Sequence, residues 1–200
     1  MPYFAQWESK DLVGKILRNW EKPVHDLKWK ESGAKTKEEY DLWTRNMCGM
    51  ACLKMILAYK MKKQFPLVTL GKACMQFGGY KMTDKKRVID GLFYEPFVRF
   101  VKETFGISAK LVKRMPQEQV IYELSKGNMV IASVSPQIRH PKEKNTKNGG
   151  HLVLMLGYDL GEKMFFLHNP SGDTKENQEY FKISFTDFTR FSASRGIVIN

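Results

Sequence analysis

The chain has 200 residues, 42% of them hydrophobic, and a formal net charge of +12 at pH 7. That is enough apolar material for one compact domain, or two lobes sharing a cleft, to fold without staples. Its three cysteines, Cys48, Cys52 and Cys74, contain no C-x-x-C pair, which argues against a secreted disulfide framework and a structural zinc site and points to a reducing compartment.

The N-terminal arm opens with an extended apolar-aromatic piece, Pro2 to Trp7, followed by a short helix-like run from Asp11 to Asn19. A polar stretch broken at Lys22-Pro23 and Ser32-Gly33 leads to Lys35–Leu42, where Thr36, Glu38 and Glu39 suit the first turn of a helix. Asn46 then reads as the N-cap of an apolar helix in which Cys48, Cys52, Met55, Ile56 and Tyr59 share a face. Phe65-Pro66 marks a boundary, Leu67–Phe77 reads as a second helix stopped by Gly78-Gly79, and Lys81, Lys85, Lys86 and Arg87 read as a basic loop. Phe93–Phe105, closed by Gly106, is a third helix, Ile107–Val112 a weakly alternating strand, and Gln117–Lys126 a fourth helix opened by Pro116.

From Met129 the pattern becomes strand-like: Met129–Val134, His151–Leu156, Met164–Leu167, Tyr180–Ile183 and Gly196–Ile199. A helical half followed by an antiparallel half is an α+β arrangement, with a cleft expected where the halves meet. We divide the chain into an N-terminal strand and arm (1–45), a helical half (46–127) and a β half (128–200), together one domain over 1–200. Ser135–Gly150 is a long loop rich in Lys, Asn and Gly that ends at His151, so it is expected to border the cleft.

Two features point to chemistry. Cys48 falls in the first turn of its helix, where unpaired N–H groups and the positive end of the dipole favour the thiolate, the reactive form of cysteine. His151 follows Gly149-Gly150 at the mouth of an apolar strand. A three-residue loop at Asp159-Leu160-Gly161, with Gly161 left-handed, sets Asn169 opposite His151. A five-residue loop sets it opposite Val153, on the same face, and an even loop brings His168 there instead. A cysteine, a histidine to take and return its proton, and an amide to fix the histidine tautomer form the cysteine-peptidase constellation.

Cys48-Gly49-Met50-Ala51-Cys52 through Leu57, Gly150-His151-Leu152-Val153-Leu154 with Gly157-Tyr158-Asp159, and Leu167-His168-Asn169-Pro170-Ser171-Gly172 resemble the papain-like cysteine peptidases of bacteria related to bacteriocin leader-processing (double-glycine) peptidases. The resemblance implies a papain-like fold, with Cys48 as nucleophile, His151 as base and Asn169 as orienter. It also implies an upstream glutamine that donates to the oxyanion, for which Gln6 is the candidate and Asn46 the local alternative, the backbone N–H of Cys48 being the second donor. The long stretch between Gln6 and Cys48, and Met50 where many relatives carry proline, depart from the family pattern.

The sequence is therefore read as a cysteine peptidase acting on peptide or protein substrates, with no cofactor and no metal. An acyltransferase using the same triad, or a non-catalytic peptide- or polyanion-binding module, stays open. Nucleic acid is not expected as a partner, because the basic residues are scattered and no nucleic-acid-binding module is recognisable. No apolar span suits a bilayer and Met1–Trp20 has no signal-like core, so a cytoplasmic location is expected, with a trimmed signal left open.

Overall fold

The computed structural model describes residues 1–83 and 88–200. The basic residues Lys85, Lys86 and Arg87 lie outside the described residues. The first helix, α1 (Val13–Leu17), is a short piece of the arm. The second, α2 (Lys37–Thr44), is opened by Thr36, whose side chain accepts from the Glu39 N–H. Then follow α3 (Cys48–Met61) and α4 (Leu67–Gln76). Strands β1 (Tyr80–Thr83) and β2 (Val88–Gly91) pair antiparallel, so Lys81, expected in a loop, is a strand residue. The chain continues through α5 (Tyr94–Phe105), β3 (Ala109–Val112) and α6 (Gln117–Ser125). It ends with β4 (Met129–Val134), β5 (His151–Asp159), β6 (Met164–His168), β7 (Phe181–Ser184), α7 (Phe185–Phe191) and β8 (Ser192–Ile199).

The main sheet is antiparallel, in the order β3-β8-β4-β5-β6-β7. Its central strands are buried on both faces, so they read as near-continuous apolar runs. Ile131, Leu152, Leu154, Ile197 and Ile199 join the core made with α3, α4 and α5. Their alternating neighbours Val130, Ala132, Val153, Met155 and Val198 join a second core under α6 and α7. The helical half is thus split across the sheet, with α6 on the far face.

Within α3 every residue from Gly49 to Leu57 is buried, because the helix lies between the sheet and the surrounding helices. One apolar face was expected, and Tyr59, assigned to that face, is exposed. Lys54 is the polar residue in this buried run, and its ammonium lies 3.1 Å from Glu8 of the arm.

The hairpin joining β5 to β6 fixes the register that the sequence left open. Asp159 pairs with Met164, so the loop has four residues, Leu160 to Lys163. Its left-handed residue is Lys163, at φ +56°, and Gly161 is not left-handed. An even loop alone would have turned His168 toward the face of His151. A register shift between Met155 and Gly157 restores the parity, and Leu154 pairs with His168. Asn169, the next residue, therefore continues opposite Val153, on the face that carries His151.

Candidate active site

The cysteine comes from the start of α3. Met47 occupies the cap position without a side-chain cap. Asn46, expected as the cap, donates its Nδ2 to the Ile89 carbonyl at 2.8 Å, because the β1–β2 pair brings that carbonyl within reach. This bond uses one of the two Nδ2 hydrogens of Asn46, the alternative oxyanion donor, and leaves the other. The Ala51 N–H bonds the Met47 carbonyl at 2.8 Å, so the N–H groups of Cys48, Gly49 and Met50 precede the helical ladder. Part of Cys48 is exposed. Its thiol is nevertheless surrounded by protein: burial pushes its pKa up, and the N–H groups of Leu152 and Gly49, the Arg139 guanidinium and its own N–H pull the other way. At rest desolvation outweighs the helix start, which corrects the expectation of a resting thiolate.

The histidine comes from the first residue of β5. Gly149 and Gly150, at φ +84° and +95°, make the turn that delivers the chain into that strand. The sulfur of Cys48 feels the N–H of Leu152, the Cys52 thiol donates to the Leu152 carbonyl at 3.8 Å, and Leu152 adjoins His151. The first turn of α3 and the start of β5 therefore meet at one junction.

His151 Nε2 lies 2.8 Å from Asn169 Oδ1. The Ser171 N–H, which can only donate, bonds the same oxygen at 3.2 Å and so fixes the orientation of the amide. His151 Nε2 must then carry the hydrogen, which leaves Nδ1 as the nitrogen able to accept a proton. Burial, reinforced by the Arg139 cation, holds His151 down at about 3, against the opposing bond to Asn169. The imidazole is neutral at rest.

Gln6 reaches this junction through the arm. Its N–H bonds the Pro170 carbonyl at 2.8 Å, and its Nε2 donates to the Thr44 carbonyl at 2.9 Å. It thus stands between the residue that follows Asn169 and the end of the helix preceding Cys48. No strand forms here, although residues 2–7 were read as extended. The intervening stretch folds back as α1, 3-10 turns and α2. Buried Asp26 holds it, accepting from the Ser9 N–H (3.0 Å), the Ser9 hydroxyl (2.6 Å), the Tyr40 hydroxyl (2.7 Å) and the Lys28 N–H (3.0 Å). Burial raises the Asp26 pKa, but these bonds outweigh it and leave it below the usual carboxylate range.

Two residues at the site were not anticipated. Arg139, in the 3-10 turn Pro136–Arg139, donates Nε to the Ser171 carbonyl, Nη2 to the Ser171 hydroxyl and Nη1 to the Pro136 carbonyl at 3.0 Å. Ser171 Oγ lies 3.1 Å from His151 Nε2. The only sequence signal for either was position: Ser171 in the Asn169-Pro170-Ser171 turn, and Arg139 in the loop expected to border the cleft. His168, the other histidine in apolar surroundings, accepts from the Tyr180 N–H at Nδ1 (3.1 Å) and contacts the Met1 carbonyl through Nε2 (3.3 Å), a local structural role.

Helix α3, which starts at Cys48, packs on strand β5, which starts at His151, within an antiparallel sheet flanked by helices, and this is a papain-like α+β fold. A profile of the Peptidase_C39 like family matches residues 27–194, and the chain belongs to that family. Among solved structures, the chain is similar to the peptidase domain of Streptococcus ComA, a bi-functional ABC transporter involved in a quorum-sensing pathway. The TM-score is 0.54 and the identity 14%, over 78% of this chain and 91% of that one. It is also similar to a protein of Bacillus anthracis assigned as a C39-like peptidase, with TM-score 0.54 and 15% identity over 78% and 88% of the two chains. No functionally curated protein matches the sequence at a significant level. Among the described residues, no helix is long and apolar enough to cross a membrane, and no group of three or more His, Cys, Asp or Glu side chains is placed to hold a metal ion.

Proposed function

We propose that the protein is a cysteine peptidase that cleaves peptide bonds through an acyl-enzyme formed on Cys48, with His151 as base and acid and Asn169 as orienter. The observation that carries this reading is the His151 Nε2–Asn169 Oδ1 bond, because it leaves Nδ1 free for the thiol proton beside the start of α3.

In the first step the Cys48 sulfur attacks the carbonyl carbon as its proton passes to His151 Nδ1, and the carbonyl π pair moves onto oxygen. Gln6, whose Nε2 has a second N–H beyond the one given to Thr44, and the Cys48 N–H hold the oxyanion. The oxyanion pair re-forms the carbonyl, the C–N bond breaks, and the imidazolium protonates the leaving amine. Water, deprotonated by His151, then attacks the thioester and releases the acid and the thiol.

The substrate is read as a peptide. A groove of about 700 Å³ lies between α5 and the sheet and includes Leu92, Phe93, Tyr94 and Arg195. It adjoins the nucleophile: a Cβ on Gly49 would come 2.6 Å from Leu92 Cδ2. A leader peptide ending in paired glycines is the first candidate substrate suggested by the resemblance. Transfer of the acyl group to an amine would use the same first half-reaction, and the two are separated by product analysis.

The test is intact-mass labelling with a limiting thiol electrophile across pH, on the wild type and on Cys48→Ala, Cys52→Ala and His151→Ala variants. Labelling selective for Cys48 over Cys52 and Cys74, and slowed in His151→Ala, is the expected result. Slow labelling spread over all three cysteines would overturn the reading and leave a binding module.

A further inference from the structure

We propose that Arg139 is the electrostatic partner of the Cys48–His151 pair: a positioned cation that stabilises the Cys48 thiolate and, through the Ser171 hydroxyl, keeps His151 neutral until it receives the thiol proton. This rests on the cysteine-peptidase reading above and assigns a residue that the Cys-His-Asn constellation does not include.

The argument begins with the hydrogen bonds of the guanidinium. They go to three uncharged oxygens, the Ser171 carbonyl, the Ser171 hydroxyl and the Pro136 carbonyl. Among the described residues no carboxylate contacts Arg139 directly. The acid that acts on it, Asp173, is already engaged by Arg18 at 2.9 Å, His140 at 3.2 Å and Asn177 Nδ2 at 2.8 Å. A largely enclosed cation without a direct counter-charge is costly, so an anion formed beside it is favoured. The sulfur of Cys48 becomes such an anion during the reaction, and the guanidinium acts on that sulfur.

The same cation has the opposite effect on the imidazole. Ser171 Oγ accepts from Arg139 Nη2 and stands 3.1 Å from His151 Nε2. Positive charge at that side disfavours imidazolium, which makes the protonated ring a stronger acid toward the leaving amine. The other titratable groups around the pair are Cys52 on α3 and Tyr80 on β1, both buried, and Asp173 with Arg18 and His140 behind the guanidinium. Among the described residues, Arg139 is the cation that acts on both Cys48 and His151.

A purely structural role is the competing reading, since Arg139 also ties its 3-10 turn to the Asn169–Gly172 turn. The two are separated by the pH dependence of Cys48 labelling, followed with iodoacetamide on the wild type, Arg139→Gln, Arg139→Lys and Ser171→Ala, with Cys48→Ala as blank. Arg139→Gln is expected to raise the labelling midpoint by about one pH unit or more, read as about tenfold slower labelling below it. Arg139→Lys and Ser171→Ala, which keep the charge, are expected to stay nearer the wild-type midpoint.

A second measurement needs no variant. At high salt, where distant surface charge is screened, wild-type Cys48 should favour anionic iodoacetate over iodoacetamide more than free glutathione does. A folded Arg139→Gln protein with an unchanged midpoint, or no such preference in the wild type, would overturn the proposal. If wild-type Cys48 labels as an ordinary thiol and His151→Ala changes nothing, the peptidase reading itself falls.

Discussion

His151 Nε2 and Asn169 Oδ1 stand 2.8 Å apart, and the N–H of Ser171 on the same oxygen fixes which of the two donates. Asn169→Ala removes the acceptor and frees the ring to rotate or change tautomer. Turnover should fall by about tenfold or more, with KM less affected. Asn169→Asp keeps the acceptor and adds negative charge, so it should retain more activity and shift the alkaline limb of the pH profile upward. Steady-state kinetics of the two variants over pH check both statements.

Gln6 makes a separate prediction. Gln6→Ala should lower kcat by about a hundredfold or more while changing KM little, because an oxyanion donor acts in the transition state. Cys48 labelling should be nearly unchanged, since alkylation passes through no oxyanion. Equal losses in labelling and turnover would reassign Gln6 to packing of the arm.

The buried pair Lys54–Glu8, with both side chains 7% exposed, ties α3 to the arm that carries Gln6. Burial raises the Glu8 pKa, and the Lys54 ammonium opposes that rise. Glu8→Ala should destabilise the protein by about 3–5 kcal/mol, because it leaves the Lys54 charge buried and uncompensated. The double variant Glu8→Leu, Lys54→Met should recover most of that loss. Urea unfolding midpoints and slopes measure the cycle.

Stability should also report the protonation of His151. Its pKa is about 3 in the folded protein against an ordinary 6.5, so the unfolded chain binds the extra proton between those values. The contribution is complete above about pH 6.5 and is lost as pH falls toward 3, with a total of the order of a few kcal/mol. Thermal melts should therefore show a steeper fall over this window in the wild type than in His151→Gln. His168, whose pKa burial also lowers, is present in both proteins and cancels in the comparison.

Gly49 tests the packing around the nucleophile. A Cβ there would stand 2.6 Å from Leu92 Cδ2 and 2.8 Å from Leu152 Cδ1. Gly49→Ala should cost about 1–3 kcal/mol and slow Cys48 labelling, because relief requires moving Leu152, the neighbour of His151. A thermal melt and the labelling rate read the two effects separately.

The local pattern of the chain determined most of its elements. The switch from helical spacing to strand-like runs at Met129, the proline and glycine stops, and the apolar run after Cys48 set the α+β class and placed Cys48 at a helix start and His151 at a strand start. Local rules suffice for these because they depend on neighbours within a few residues. The tertiary structure decided what depends on distant partners. The Ile89 carbonyl drew Asn46 from the cap position, and Asp26 and Lys54 folded the arm back to set Gln6 beside Pro170. A bulge between Met155 and Gly157, just before the turn, corrected the parity of an even loop. Arg139 was invisible as a site residue for the same reason: its relation to His151 runs through Ser171, which folding alone brings to it from across the chain.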